Sequence, residues 1–281
     1  MLTRVLTGVI AFVVFLPFLV HSDTIAYPIA MALCSVISTY EMIRCVGLHK
    51  KQRISVPLCL AAAALPICVR LLHGMYDVVL VGVAACLILV LYMLAITVFS
   101  RGSINITQSM TSLVVGLYIM AAFSGMVFLR DFDEAGAYIY LLVFIGAWVP
   151  DTFAYFTGRL FGKHKLIPDV SPKKTVEGAI GGALFCVLAF VGFGFLYNNF
   201  WLVEGRDALP IWLMAVAGLL SALVSMIGDL SMSVIKRHYG IKDFGRLLPG
   251  HGGFLDRFDS VLAVSVILAV AFGIADYVGV L

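Results

Sequence analysis

Asp151, Asp229, Asp256 and Asp259 stand beside or inside long apolar runs, each within a few residues of lysine, arginine and glycine. Carboxylates are hard oxygen ligands suited to Mg²⁺, which keeps waters and accepts substrate phosphates. The richest stretch is GDLSMSVIKRHYGIKDFGRLLPGHGGFLDRFD, residues 228–259. Asp229 and Asp256, from different helices, are candidate ligands for one or two metal ions, with Asp259 beside them. Paired ions would sit about 3.5–4 Å apart and flank an in-line displacement at phosphorus. Lys236, Arg237, Lys242 and Arg257 would neutralise phosphates and a leaving group. Positions 256 and 259 are three apart, so a helix would set them on one face. Gly250, Gly252 and Gly253 predict a loop whose backbone can wrap an anion or a metal-bound phosphate. His251, between glycines, either contacts phosphate, with a catalytic proton transfer as one role, or orders the loop.

Two further polar stretches accompany this one. In PDTFAYFTGRLFGKHKL, residues 150–166, Asp151 follows Pro150 inside an apolar run. A carboxylate there costs about 2.5–3.5 kcal/mol on insertion scales, so it needs a partner or a task. Gly158 and Gly162 either let backbone approach a ligand or stop a helix, and Arg159, Lys163 and Lys165 surround them. In SPKKTVEG, residues 171–178, either Thr175 caps the following helix or Ser171 does, with Pro172 in its first turn. Lys173 and Lys174 then sit at a helix N-terminus, where the dipole is already positive. A bound phosphate resolves that conflict; insertion-directing charge is the alternative.

What positions these groups is a membrane. The 281 residues are 62% hydrophobic and 12% charged, with a net charge of +3 and a mean hydropathy of +1.06. Nine apolar stretches, approximately 4–20, 24–43, 54–72, 76–99, 109–129, 136–158, 177–199, 210–233 and 260–280, reach the roughly 20 residues that cross a bilayer. The expected fold is therefore all-α, a polytopic transmembrane protein of about nine spans, the first a retained span rather than a signal peptide. All but Arg70, Arg130 and Arg206 of the 19 basic residues fall on one side when the N-terminus is placed in the cytoplasm. Residues 1–135, spans one to five, read as scaffold with dimer contacts. Residues 136–281, spans six to nine, read as the catalytic region with cytoplasmic loops. The six cysteines show no CxxC and no metal or disulfide framework.

The run from Ser233 to Asp259 resembles the signature of phosphatidate cytidylyltransferases, the CDP-diacylglycerol synthases. Its elements are Ser233, Lys236-Arg237, Lys242-Asp243, Gly245, Leu248-Pro249, His251-Gly252-Gly253-Phe254 and Asp256-Arg257-Phe258-Asp259. SPKKT at 171–175 and DTFAYFTGRLFGKHKL at 151–166 resemble the family's other motifs, so the similarity is closest in the C-terminal half. Val176 departs from a common Trp, and Ser231-Met232 from a common Phe-Glu, which removes one carboxylate. The resemblance implies transfer of a cytidylyl group from CTP to phosphatidate, giving CDP-diacylglycerol and pyrophosphate. It implies Mg²⁺, as one or two divalent ions or with K⁺, and a homodimer in a bacterial cytoplasmic (inner) membrane with its active site on the cytoplasmic side. CTP and phosphatidate are the partners, dCTP stays open, and nucleic acid is not expected. Asp229 and Asp256 match metal-binding positions. Ser171, Lys173, Lys174, Ser233, Lys236, Arg237 and His251 match polar positions of the substrate site, and Asp151, Arg159, Lys242, Gly252, Gly253 and Arg257 join them as candidates.

A secondary transporter would also use intramembrane carboxylates and broken helices, but near mid-membrane in two related halves. Here the polar stretches gather on one surface and in the second half only. A CDP-alcohol phosphotransferase would need a DG…AR…G…D…D pattern, and a lipid kinase a P-loop or kinase signature; neither is present.

The charge asymmetry makes a prediction. With the native cysteines replaced, single cysteines placed within 159–176 or 236–259 should resist an impermeant thiol reagent added to intact cells. Labelling of either loop from outside would reverse the orientation.

Overall fold

Apolar runs of this length leave their backbone groups no water to bond with, and an α-helix satisfies them internally. The computed structural model, which describes residues 2–72, 75–132, 136–168, 170–202, 208–250 and 252–278, is accordingly helical. In chain order the helices are α1 (Leu2–Val20), α2 (Ala26–Cys45), α3 (Gln52–Leu71), α4 (Met75–Phe99), α5 (Ile106–Asp131), the short α6 (Gly136–Ile139), α7 (Leu141–Phe161), α8 (Val176–Leu196), α9 (Ile211–His238) and α10 (Asp259–Val278). A π-helical turn, Tyr197–Trp201, extends α8. Among the described residues eight helices are long and apolar enough to cross a membrane, and α1 adds a shorter apolar helix over Thr7–Val20. Along α4, Leu80, Val83, Leu87, Ile88, Leu91 and Val98 are all exposed. So much exposed apolar surface on one helix has lipid as its natural neighbour. The protein is an all-α polytopic membrane protein.

Two compact units make up the chain, residues 1–128 with 238–257 and residues 129–237 with 258–281. In the first, α2 packs on α3 and α3 on α4, around a core that includes Tyr27, Met31, Met42, Ile54 and Leu58. Arg70, one of the basic residues outside the cytoplasmic pattern, has a local reason for its place. Its Nη2 donates to the carbonyls of Ser22 at 2.5 Å and Thr24 at 3.0 Å, closing the turn between α1 and α2. The segment 238–257 joins this unit, where Tyr239 Oη donates to Thr111 Oγ1 at 3.2 Å.

In the second unit the helices meet through glycine. A Cβ at Gly182 would lie 2.7 Å from the Pro150 carbonyl oxygen, and one at Gly178 would lie 2.7 Å from that of Ala154. The spacing 178/182 is the small-xxx-small pattern that lets membrane helices approach backbone to backbone. It brings α8 against the stretch of α7 that carries Asp151. Gly228 does the same for α9 on α10, with its would-be Cβ 2.7 Å from Ala263 Cβ and 2.8 Å from the Asp259 carbonyl oxygen. Asp229 is thereby held close to Asp259.

Gly182→Val should force α7 and α8 apart and cost about 1–3 kcal/mol or more, since overpacking an interface with no slack strains backbone. A clear fall in thermal midpoint in detergent is expected. Gly192→Ala, where a Cβ meets nothing within 4 Å, should leave the midpoint unchanged or slightly higher.

Candidate active site

Between α7 and α8 the chain makes its only strand pair among the described residues. β1 (Lys165–Ile167) and β2 (Ser171–Thr175) run antiparallel, with Lys165 opposite Thr175 and Ile167 opposite Ser171. Thr175, rather than Ser171, is the N-cap of α8, its Oγ1 accepting from Gly178 N at 3.2 Å. The His164 carbonyl accepts from Val176 N at 3.0 Å. On the other side, Glu177 accepts from the His164 backbone N and meets its Nδ1 at 2.7 Å. The hairpin is thus pinned to the first turn of α8. Lys173 and Lys174 lie in the extended strand just before that cap, not within the helical turn.

The hairpin borders a cavity of about 430 Å³. Arg159, Lys173 and Lys174 bring positive charge to it, and Asp151 and Asp229 negative charge, with Ser171 and Tyr155 beside them. Alanines 154, 179, 183 and 222, with Leu166 and Met226, make the rest of its wall largely apolar. Asp229 lies nine residues before the end of α9, roughly 14 Å along the helix at 1.5 Å per residue. The cavity therefore reaches from a cationic rim down among the spans.

Its charges are ordered by one another. Lys174 Nζ stands 2.7 Å from Asp229 Oδ2, both side chains about a quarter exposed. Asp151 Oδ2 accepts from Ser260 Oγ at 3.0 Å. The Ser260 backbone N in turn donates to Asp259 Oδ1 at 2.9 Å. The electrostatic neighbours of Asp259 include Asp229, Lys236 and Asp151, and Lys236 is buried on α9. Three carboxylates from α7, α9 and α10 thus share one neighbourhood with two lysines. Ser225, one turn before Asp229, lines the cavity with a buried Oγ that has no hydrogen-bond partner among the described residues. Among the described residues no three of His, Cys, Asp and Glu stand together as a ready-made metal cluster.

The glycine-rich loop belongs to the first unit and behaves differently from the expectation. Asp256 lies in a 3₁₀ turn, Leu255–Arg257, whereas Asp259 opens α10, so the two do not share a helix face. Phe258 forms the turn that separates them. Asp256 is buried, and its Oδ2 accepts from Phe244 N at 2.8 Å and Gly253 N at 3.0 Å. Glu41 of α2 accepts from Phe254 N at 3.0 Å and Leu255 N at 2.8 Å. The amides of Gly253, Phe254 and Leu255 are therefore engaged by the protein's own carboxylates and are not offered to an external anion. Gly250 and Gly252 adopt φ +77 and +88, a conformation that suits glycine.

Of the sequence-predicted residues, Asp151, Arg159, Ser171, Lys173, Lys174 and Asp229 line one cavity, and Asp259 and Lys236 stand by its carboxylates. Ser233 and Arg237 lie on α9 but not in the cavity lining, Arg237 exposed. Lys242, Gly252, Gly253, Asp256 and Arg257 lie in the first unit, with Lys242 and Arg257 exposed. His251 falls outside the described residues. Sequence reasoning missed Ser260, Ser225 and Glu41. A lone carboxylate in an apolar span was the signal available for Glu41; the two serines gave none.

A family model described as "Cytidylyltransferase family" matches residues 2–275. A phosphatidate cytidylyltransferase of Staphylococcus aureus (strain COL) is 33% identical over 268 residues, 95% of this chain and 97% of the relative. That of Staphylococcus haemolyticus (strain JCSC1435) is 36% identical over 269 residues, again 95% and 97%. The chain belongs to the cytidylyltransferase family and is a nucleotidyltransferase.

Proposed function

We propose that the protein transfers the cytidylyl group of CTP to membrane phosphatidate, forming CDP-diacylglycerol and pyrophosphate with Mg²⁺ at the cytoplasmic membrane face. The observation that carries this reading is the mixed character of the second unit's cavity. Cations and carboxylates line it together, with Lys174 paired to Asp229, and small apolar side chains form much of its wall. A substrate that suits such a space is an anionic phosphate ester with a hydrocarbon body.

The carboxylates fit a magnesium ion. Asp151, Asp229 and Asp259 offer hard oxygens, and a Mg²⁺ that keeps waters and binds substrate phosphates needs only one or two of them. Asp229 and Asp259 are the residues at this cavity that we assign to hold it, and Asp256 of the glycine-rich loop remains the third ligand candidate from the sequence. When bound, the ion neutralises phosphate charge and favours displacement at the α-phosphorus.

The chain's own side chains supply the rest. Lys174 stands 2.7 Å from Asp229, so its ammonium is already at the cavity before a phosphate arrives. Lys173 and Arg159 add two more cations at the rim, which draw a phosphate monoester toward the carboxylates and offset repulsion between the two anionic substrates. Ser225 offers a buried hydroxyl to the substrate body. A phosphatidate oxygen then attacks the α-phosphorus of CTP. The bond from that phosphorus to the bridging oxygen breaks, and pyrophosphate departs with the electron pair. The nucleophile is already anionic at neutral pH, so positioning and charge neutralisation carry the catalysis, not a strong base.

Purified protein given phosphatidate, Mg²⁺ and each labelled nucleoside triphosphate should form a labelled lipid only with a cytidine nucleotide, with pyrophosphate released in equal amount. Absence of a CDP-lipid, or equal transfer from ATP, would overturn the assignment.

Asp229→Asn and Asp256→Asn should each lower activity per folded molecule by about 100-fold or more, as loss of a preorganised charge commonly does. The double variant should be little worse than either single one, because groups acting as a unit are strongly non-additive. A Mg²⁺ titration on well-folded variants is the check. Full activity of Asp256→Asn at ordinary Mg²⁺ would remove it from the metal-binding set.

A further inference from the structure

Glu41 is a buried carboxylate in the last turns of the second helix, 213 residues away in sequence from the Phe254 amide it accepts. Each of its oxygens takes one backbone N–H, Oε1 from Phe254 and Oε2 from Leu255. The preceding amide, Gly253, goes to Asp256, which also takes Phe244 N. Four amides from two loop segments therefore converge on two carboxylates. Consecutive amides of this kind form a concavity that binds anions. Here the anion is built in.

The glycines around it are explained by the same group. A Cβ at Gly245 would lie 2.7 Å from Glu41 Cδ, and one at Gly253 would lie 2.7 Å from Glu41 Oε2 and 3.0 Å from Asp256 Oδ2. Neither position has room for a side chain while Glu41 stays where it is. Glu41, the glycines and Asp256 are one packed arrangement, all within the first unit.

We infer that Glu41 is a positioning residue for the transfer reaction. By accepting Phe254 N and Leu255 N it sets the backbone of residues 252–256, and so fixes where the Asp256 carboxylate points. It touches neither substrate nor metal. This role rests on the reading of Asp256 as part of the active site. A fixed carboxylate is needed because catalytic groups lose effect when misplaced by about 1 Å. A glycine-rich loop has little rigidity of its own. The negative charge also keeps the loop's amides from capturing a free anion in place of the substrate phosphates.

The test uses the full-length protein in detergent micelles. In Glu41→Gln one oxygen still accepts, but the amide nitrogen faces a backbone N–H. Hydrogen exchange of the peptide covering 252–256 should quicken by roughly tenfold or more, the loss of one hydrogen bond to a charged acceptor, while exchange in α3 and α10 stays unchanged. Turnover should fall by a similar factor, with KM for CTP and phosphatidate little altered. Glu41→Asp retains the charge and should recover part of both. If Glu41→Gln does not fold, Gly245→Ala displaces the carboxylate without removing it and should give the same loop-confined loosening and loss of kcat. Unchanged loop exchange in a folded variant would overturn the inference. So would a general rise in exchange with activity tracking the folded fraction. Asp256→Asn separates the two readings. If it remains fully active while Glu41→Gln still loosens the loop, the assignment of Asp256 fails and Glu41 is only a loop anchor.

Discussion

Charge inside a membrane span must be balanced, and the second unit is built around that constraint. Asp151 and Asp229 sit within long apolar stretches of their helices, whose other charges fall in the last turns. Each carboxylate left alone would cost a few kcal/mol in the hydrocarbon region. Asp229 is answered by Lys174, and Asp151 by the Ser260 hydroxyl. The hairpin exists to make the first of these possible. Lys174 precedes the helix it serves, and an extended strand carries its ammonium to α9 in a way a helical residue at the same place would not. The glycine contacts between α7 and α8, and between α9 and α10, then bring the balanced groups within reach of one another.

The pairing also explains why a site of opposed charges can serve a substrate carrying several negative ones. For a pair about three-quarters buried, desolvation offsets much of the attraction, yet either charge left alone is costly, so the pair opens only when another charge takes the vacated place. On the proposed function, the ammonium turns to an entering phosphate, and the carboxylate it leaves is then available to a cation. Net charge in the cavity stays near balance through the exchange. The arrangement stores the site's polarity without a large stability cost.

Much of this was legible in the chain. Asp151 and Asp229 stand out because charge is rare in apolar runs, Lys173 and Lys174 because paired cations precede a helix, and all four line one cavity. Helix ends agree with the hydropathy boundaries within several residues, as at α4 and α10. The strand pair did not show itself, because three and five residues containing a proline carry no alternating pattern. The shared face of Asp256 and Asp259 failed for a local reason. Spacing of three implies a common face only if one helix contains both, and Phe258 ends one turn before the next begins. Glu41 was hidden by sequence distance. Its role lies in backbone amides, and those leave no trace in side-chain motifs.

The two units solve one problem in two ways. In the second, carboxylates are balanced by mobile ammonium and hydroxyl groups, which a substrate can displace. In the first, Asp256 and Glu41 are balanced by backbone N–H groups, which cannot swing away. Backbone donors hold a carboxylate's direction more firmly than a flexible lysine does, because no side-chain rotamer is involved. The chain has used glycine to let the carboxylates come that close. A phosphoryl-transfer enzyme needs both kinds of balance. On the proposed function, the charges that meet substrate must be exchangeable, whereas the Asp256 carboxylate must keep its direction. Gly245 and Gly253 are then less parts of a flexible cradle than the space in which the Glu41 carboxylate is set.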